Sequence, residues 1–134
     1  MMISLKTLLC IGCGCFAGGA LRYITAMLIN SRVDTMPPNM PWHTLVINFI
    51  GCLFMGVFYA MAEQGLIESK DMRAALLTGL CGGYSTLAAF AYENTFILKS
   101  GSYLTAAGYI SATVVGSIAF FMLGYAGTRF FSRA

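Results

Sequence analysis

The polar side chains of this sequence that could take part in chemistry stand inside long apolar stretches. Asn48 lies in the run Thr44-Leu-Val-Ile-Asn48, so on a helix Thr44 is one turn before it on the same face. An amide in hydrocarbon needs a hydrogen-bond partner. The Asn48 NH2 group could donate to a neighbouring helix, or it could donate to an anion or another solute that passes it, and both interpretations stay open.

Residues 78–86, which read TGLCGGYST, combine glycines with hydroxyl side chains in the middle of an apolar stretch. Gly82 and Gly83 together cost a helix roughly 2 kcal/mol relative to alanine, so we predict that the helix is broken here. A break frees carbonyl groups, which suit a bare cation, and N–H groups, which suit an anion. The alternative is a kink in which the Ser85 and Thr86 hydroxyls satisfy the freed backbone groups.

A polar stripe is predicted on the last apolar stretch. Tyr109, Thr113 and Ser117 are spaced four residues apart and therefore share one face of a helix. They could form a polar track for a solute, or a hydroxyl among them could bond back to its own helix. Both interpretations of the stripe stay open.

Arg22 and Glu93 are charged residues within apolar stretches, where an unpaired charge is costly. The long Arg22 side chain can reach the membrane surface. Glu93 can cap the end of its helix or pair with a cation, and we expect it to have a structural or vestibule role. His43, the single histidine, stands at the start of a predicted helix and is interpreted as interfacial.

The elements that must position these residues are predicted from composition. Residues of the AVILMFWYC class make up 58% of the 134 residues, only 10% are charged, and the mean hydropathy is +0.76. Soluble domains carry about 25% charged residues, so the composition excludes an ordinary cytosolic enzyme, a nucleic-acid binder and a disordered chain. The sequence also offers no nucleophile–base pair, and we do not expect an enzyme.

Charge-poor stretches that are long enough to cross a bilayer lie near 4–30, 42–62, 72–98 and 103–128. We therefore predict an all-α integral membrane protein, with one four-helix transmembrane domain over 1–134 and the third helix broken at mid-membrane.

The predicted connections are a loop at 31–41 with three prolines and two short turns, so neighbouring helices are antiparallel. Lysine and arginine counts favour both termini in the cytoplasm only weakly, by five against two or three. The larger group consists of Lys6, Lys70, Arg73, Arg129 and Arg133. A weak bias allows insertion in both orientations, so two copies could pair antiparallel. Small residues such as Gly14 and Gly18 allow close helix packing, within one subunit or between subunits.

Four blocks of residues, in this order and spacing, resemble one known family. They are GGALRY at 18–23, TLVINFIG at 44–51, GLCGGYST at 79–86 and GS at 116–117. On these blocks, which extend over nearly the whole chain, the sequence resembles the small fluoride channels and exporters called Fluc or CrcB. The resemblance implies passive, selective export of cytoplasmic fluoride across the plasma membrane of a bacterial-type cell, which protects against fluoride toxicity.

The resemblance also implies an assembly and a set of sites. Family members are antiparallel, dual-topology dimers, with two fluoride paths at the subunit interface and a central structural sodium ion between the broken helices. Carried over by motif, the sodium ligands would be the backbone carbonyls of Gly82 and Ser85. Asn48 would donate to fluoride, and Arg22 and Glu93 match charged positions of the pattern. The implied fluoride path comprises Thr44, Asn48, Leu87, Phe90, Tyr109, Thr113 and Ser117.

The sequence departs from the family's third-helix pattern, Thr-Thr-Phe-Ser-Thr-Phe, because it reads Ser-Thr-Leu-Ala-Ala-Phe at 85–90. Leu87 stands where the first pore phenylalanine is expected, Ala89 lacks a hydroxyl, and Phe90 keeps the second aromatic ring. This leaves open a homodimeric channel or an obligate subunit of a mixed dimer with a paired homologous chain. Two further alternatives are a small proton-coupled multidrug-type transporter, for which the first helix lacks the usual carboxylate, and a structural subunit that transports nothing.

Overall fold

The computed structural model describes residues 4–32 and 40–132, and within them it contains helices and no strand. Four helical segments are long and apolar enough to cross a membrane: the first span Leu5–Asn30, the second span Trp42–Glu63, the third span Lys70–Lys99 and the fourth span Tyr103–Phe131. The predicted all-α architecture with four transmembrane helices is confirmed. The fourth helix continues to Phe131 rather than ending at 128. Pro37 and Pro38 of the predicted loop, and Arg133, lie outside the described residues.

Local sequence explains where the helices begin and where the chain turns. The Ser4 hydroxyl accepts a hydrogen bond from the backbone N–H of Thr7 at 3.5 Å and so caps the first span. Gly65 and Gly101, in the connections before and after the third span, have φ values of 74° and 79°. Residues with a Cβ rarely adopt this conformation, so glycine is required at both turns.

The spans pack in two pairs, and glycines allow the closest approaches. The second span packs along the fourth, and the first span packs along the N-terminal half of the third. A Cβ atom at Gly14 would collide with the carbonyl oxygen of Ala75, and one at Gly79 would lie 2.7 Å from that of Ile11. Backbones come this close only where side chains are absent. Gly14 therefore serves packing within one subunit, whereas Gly19 faces open space.

The third span is not a continuous α-helix. It consists of an α-helical start (Lys70–Arg73), a π-helical segment (Ala74–Cys81), a short α-helical turn (Gly82–Tyr84) and the α-helix Leu87–Lys99. Between the last two pieces, Ser85 and Thr86 have extended backbone conformations, with ψ values of 157° and 116°. The predicted break in the middle of this helix is confirmed, and it lies at Ser85 and Thr86.

The glycines that predict the break are themselves helical, just before it. A Cβ atom at Gly83 would lie 2.8 Å from the carbonyl oxygen of Cys15, whereas the nearest atom to a Cβ at Gly82 is the carbonyl oxygen of Leu77 at 3.9 Å. Gly83 is therefore required for packing against the first span. The break itself lies two residues further along the chain, where the backbone of Thr86 bonds to Asn48 instead of continuing the helix.

Polar contacts tie the spans together at the end of the bundle where the third span begins. Lys6 Nζ lies 3.2 Å from Asp71 Oδ2, and the Thr7 hydroxyl donates to Asp71 Oδ1 at 2.5 Å. Arg73 donates to the carbonyl oxygens of Ile67 and Ala62 at 2.6 and 2.9 Å. These contacts join the start of the third span to the first span, and to the second span and the short connection that follows it.

Candidate functional site

Glu93 is the centre of a polar cluster that joins three spans. The Thr44 hydroxyl of the second span donates to Glu93 Oε1 at 2.6 Å, and the Tyr109 hydroxyl of the fourth span donates to Oε2 at 2.7 Å. His43 Nε2 lies 3.2 Å from Oε1. Both carboxylate oxygens therefore have partners, which is what a charged group needs in a partly buried position.

The stripe on the fourth span continues inward from Glu93. Tyr109 is fully buried, and its ring centroid lies 5.0 Å from that of Phe90 with the ring planes tilted by 54°. Thr113, one turn further, is also buried, and its hydroxyl oxygen has no hydrogen-bond partner among the described residues. A helical threonine usually bonds back to its own helix, as Thr95 does here to Ala91 at 2.8 Å. The Thr113 hydroxyl therefore bonds neither to its own helix nor to a neighbouring one within the described residues.

Asn48 joins the second span to the break in the third. Its Oδ1 accepts from the backbone N–H of Thr86 at 2.8 Å, and its Nδ2 donates to the Thr86 carbonyl at 3.2 Å. The interhelical partner anticipated for this amide is therefore the backbone of the break. Because an amide nitrogen carries two hydrogens, one remains after the bond to Thr86.

The hydrogen bonds around the break take their usual helical donors from several carbonyl groups, among them those of Gly82 and Ser85. In a continuous helix, the Gly82 carbonyl would accept from Thr86 and the Ser85 carbonyl from Ala89. Instead, the Thr86 N–H donates to Asn48, and the Ala89 N–H donates to the Thr86 hydroxyl at 3.3 Å. Gly82 and Ser85 are the residues whose carbonyls the sequence resemblance predicts as sodium ligands. Backbone carbonyls of an unwound helix are suitable ligands for this cation, so the donor set fits.

The sequence also allowed a kink in which the Ser85 and Thr86 hydroxyls bond to the backbone. Such bonds are present next to the break. Ser85 Oγ donates to the Cys81 carbonyl at 3.0 Å, and Thr86 Oγ1 caps the helix Leu87–Lys99. The Cys81 carbonyl keeps its helical donor, the Ser85 N–H, at 3.0 Å. The Thr86 hydroxyl therefore satisfies one freed group, the Ala89 N–H, and the amide of Asn48 satisfies the Thr86 N–H and carbonyl.

The remaining predicted site residues are less enclosed. Leu87, the first residue after the break, has a side chain that is 77% exposed within the single subunit. Ser117 and Arg22 are half-buried, on the fourth and first spans. No ion pair joins Arg22 to Glu93 in the part of the chain that the structure describes. The structure thus brings Thr44, Glu93, Tyr109 and Phe90 together, and it joins Asn48 to the break.

Sequence reasoning missed the contact of His43 with Glu93. The histidine was interpreted as interfacial because it begins the second span, and its side chain is indeed one-third exposed. The one indication in the sequence is that His43 directly precedes Thr44. Adjacent residues at the end of a helix can contact the same side chain, here that of Glu93. The spacing of 50 residues between His43 and Glu93 carries no such signal.

These features define a class: a small, multi-pass helical membrane protein in which a polar cluster and a broken helix lie among apolar spans. Comparison with known proteins gives the family. The model described as "CrcB-like protein, Camphor Resistance (CrcB)" matches residues 9–125. The chain belongs to this family, which confirms the resemblance found in the sequence, and with the four spans it confirms a multi-pass protein of the plasma membrane.

Curated relatives match over most of their length. A "Fluoride-specific ion channel FluC" of Flavobacterium psychrophilum is 41% identical over 110 residues, which cover 82% of this chain and 86% of the relative. Proteins of the same name from Nautilia profundicola and Phocaeicola vulgatus are 37% and 39% identical. Each of these two matches covers 90% of this chain. They cover 92% and 96% of the relatives from Nautilia profundicola and Phocaeicola vulgatus, respectively. The name of these relatives describes a channel rather than an enzyme.

Proposed function

We propose that this protein is a fluoride-selective channel through which cytoplasmic fluoride leaves the cell by passive flow. The observation that carries the proposal is the buried hydroxyl of Thr113, which has no partner among the described residues although it lies in an apolar interior. A buried polar group without a partner is costly, and a passing anion would supply the acceptor. The names of the curated relatives point to fluoride as that anion.

The surroundings suit a small, strongly hydrated anion. Such an ion enters a narrow path only if close donors replace its water, as in other selective pores. Hydroxyl groups and the amide of Asn48 can donate, and the edges of aromatic rings carry the positive part of the ring quadrupole. Phe90 packs its ring against Tyr109, close to this stripe. Along a track of Tyr109, Thr113 and Ser117, the hydroxyls of Thr113 and Ser117 and the second Nδ2 hydrogen of Asn48 would donate to the anion. The hydroxyls of Tyr109 and Thr44 line the same track but donate to Glu93.

Passive flow is favoured over proton-coupled transport by the bonding of Glu93. A carboxylate that carries protons across a membrane must exchange them with substrate and solvent. The Glu93 oxygens are instead engaged by Thr44, Tyr109 and His43 at 2.6 to 3.2 Å. We infer that Glu93 holds the mouth of the path together.

The complete path requires a second subunit, which we propose to be another copy in antiparallel orientation. Two carbonyl oxygens, those of Gly82 and Ser85, do not enclose a cation. A two-fold axis in the membrane plane at the break would bring four such carbonyls to one point. A structural sodium ion there would supply a fixed positive charge and join the two broken helices. Exposed Leu87, directly after the break, would lie near the same interface.

A mixed dimer is the second candidate, and Leu87 is the observation that favours it. A leucine has no positively polarised ring edge to offer an anion, and this side chain is exposed to whatever covers the break. A paired homologous subunit could supply the missing aromatic ring. Purified protein alone would then form no conducting assembly.

The test is fluoride efflux from liposomes that contain the purified protein alone, read with a fluoride electrode, with chloride efflux as the selectivity control. Fast fluoride efflux without chloride efflux, lost in Asn48→Ala, is the expected result. A folded, dimeric sample that releases no fluoride would contradict the homodimeric channel. Restoration of efflux by co-expression with a paired homologous chain would then establish the mixed dimer.

A further inference from the structure

We propose that Arg129 and Gln64 form a site for the headgroup of an anionic phospholipid, at the end of the bundle where the fourth span ends. The lipid would be bound through its phosphodiester group, with its acyl chains in the bilayer. The site is independent of fluoride transport, since neither residue belongs to the proposed path. Three observations carry it: the unused donors of Arg129, the pocket beside them, and the level at which both lie in the membrane.

Arg129 is held in place but keeps most of its hydrogen-bond donors. Its Nη1 donates to the Tyr125 hydroxyl at 2.7 Å, and its guanidinium carbon lies 5.5 Å from the centre of the Tyr125 ring. The Glu63 carboxylate accepts from the same hydroxyl at 2.8 Å, and no carboxylate forms an ion pair with Arg129 within the described residues. A guanidinium carries five N–H donors. Most of them therefore remain for an anion, in the planar arrangement that matches two phosphate oxygens.

Arg129 lines an open pocket between the ends of the second and fourth spans. The pocket has a volume of 600 Å³, and its lining consists of Gln64, Leu66, Arg129 and Ser132. The Gln64 side-chain oxygen is enclosed by the protein, whereas its Nε2 group is accessible and makes no hydrogen bond within the described residues. The Ser132 hydroxyl already donates to the Thr128 carbonyl at 2.8 Å. The free polar groups of this lining are therefore donors, and no carboxylate stands among them, so the pocket suits a negatively charged ligand.

The pocket lies at the level of the lipid headgroups. The fourth span extends over 29 residues, Tyr103–Phe131, and Ser117 is at its middle. With the middle of the span at the centre of the bilayer, Arg129 stands about 18 Å from that centre along the helix axis. The hydrocarbon core ends about 15 Å from its centre, and the headgroups lie beyond it. Tyr59 and Tyr125, whose ring centroids are 6.0 Å apart, lie about one turn further in, at the depth where tyrosines are enriched.

Exposed apolar side chains next to the pocket favour a lipid over a free phosphate ion. Leu66, which lines the pocket, is exposed, and so are Phe130 and Phe131, which follow Arg129 in the last turn of the fourth span. Hydrogen-bond donors beside an apolar surface match a molecule that carries a phosphate next to acyl chains. The same end of the bundle carries the larger group of lysines and arginines, and basic residues close to the membrane attract anionic lipids.

The test measures lipid binding by native mass spectrometry of the purified protein in detergent, with phosphatidylglycerol and phosphatidylcholine of identical acyl chains. Arg129→Gln removes the charge, and Gln64→Leu removes the second donor without leaving an enclosed oxygen. Lys99→Gln is the matched control, because Lys99 is an exposed cation at the opposite end of the bundle and does not line this pocket. Inorganic phosphate is added as a competitor, to separate a lipid from a soluble anion. Size-exclusion elution and circular dichroism show whether each variant is folded.

The wild type is expected to bind phosphatidylglycerol about fivefold more tightly than phosphatidylcholine, because Arg129 repels the positive choline group. Arg129→Gln should lose about tenfold in affinity for phosphatidylglycerol and Gln64→Leu about threefold, whereas Lys99→Gln should bind like the wild type. Equal binding by the wild type and the folded pocket variants, or equal wild-type binding of the two lipids, would overturn the site. Displacement of the lipid by an equal concentration of inorganic phosphate would assign the pocket to a soluble anion and likewise overturn it.

Discussion

The side-chain amide of Asn48 pairs with the backbone of Thr86 through both of its ends, at 2.8 Å to the N–H and 3.2 Å to the carbonyl. A side chain of the second span thereby makes the hydrogen bonds that the Thr86 backbone would make within a continuous third helix. This pairing stabilises the break, because the two backbone groups that leave the helix at Thr86 find partners within the membrane. The one remaining Nδ2 hydrogen is the group that our proposal assigns to fluoride.

Asn48→Ala is expected to weaken both the fold and the transport. Removal of the amide leaves the Thr86 N–H and carbonyl without partners, which should lower the free energy of unfolding by about 2–4 kcal/mol. The measurement is thermal or denaturant unfolding in detergent, beside efflux from liposomes. Thr128→Ala is the control, since the Thr128 hydroxyl bonds back to the Gly124 carbonyl of its own helix, near the end of the fourth span. An Asn48→Ala protein as stable as the wild type would contradict the structural role of the pairing.

The four spans and the break could be predicted from sequence, whereas the reasons for the break could not. A span depends on the apolar character of about 20 consecutive residues, which is a local property that the sequence displays directly. The partner of Asn48 depends on how the second span is rotated about its axis and on its depth relative to the third. The same limitation explains why the contact of His43 with Glu93 was missed. Gly83 was correctly singled out beside the break, but the sequence did not indicate that it also permits the close approach of Cys15.

The adjacent glycines before the break provide a matched pair for testing this packing. Gly83→Ala should lower the free energy of unfolding by about 1–3 kcal/mol, because its Cβ would meet the Cys15 backbone at 2.8 Å. For the single subunit, Gly82→Ala should be neutral or stabilising by up to about 1 kcal/mol, since Gly82 is helical and the nearest atom of the same chain is 3.9 Å away. Unfolding in detergent measures both. Equal destabilisation by the two substitutions would show that low helix propensity, rather than packing, is what the glycines supply.

Glu93→Gln tests whether transport is coupled to protons. Glutamine keeps the shape of the side chain and can still accept from Tyr109 or Thr44, so we expect a folded protein whose fluoride efflux persists. A proton-coupled mechanism would require the carboxylate and would lose uphill transport in this variant. The measurement is fluoride efflux at pH 7 with and without an imposed proton gradient. Wild-type accumulation of substrate driven by the proton gradient, abolished in Glu93→Gln, would refute the passive channel.

Sodium removal tests the proposed role of the freed carbonyls of Gly82 and Ser85. If sodium joins two copies at the break, its replacement by a large organic cation should lower the thermal midpoint of the dimer and slow fluoride efflux. Ser85→Ala is the control variant, because the Ser85 hydroxyl donates to Cys81 whereas the proposed ligand is the backbone carbonyl. This variant should keep its response to sodium. Identical stability and efflux in the presence and absence of sodium would contradict the cation site.

Thr113→Val separates a functional hydroxyl from a structural one. Loss of a structural hydroxyl would lower the free energy of unfolding, whereas loss of a functional one would leave it unchanged or raise it. Valine has nearly the same shape as threonine but lacks the hydroxyl, and the Thr113 hydroxyl makes no hydrogen bond within the described residues. The free energy of unfolding should therefore stay constant or rise by about 1 kcal/mol.

Fluoride efflux should fall about tenfold or more in the same variant, since a donor that replaces the water of the anion has been removed from the path; this corresponds to about 1.4 kcal/mol or more in the barrier to passage. Thr95→Val is the matched control, because Thr95 is exposed and bonds back to Ala91 of its own helix. Its efflux should equal that of the wild type. A Thr113→Val protein that loses stability but conducts at the wild-type rate would assign this hydroxyl to the fold and remove it from the fluoride track.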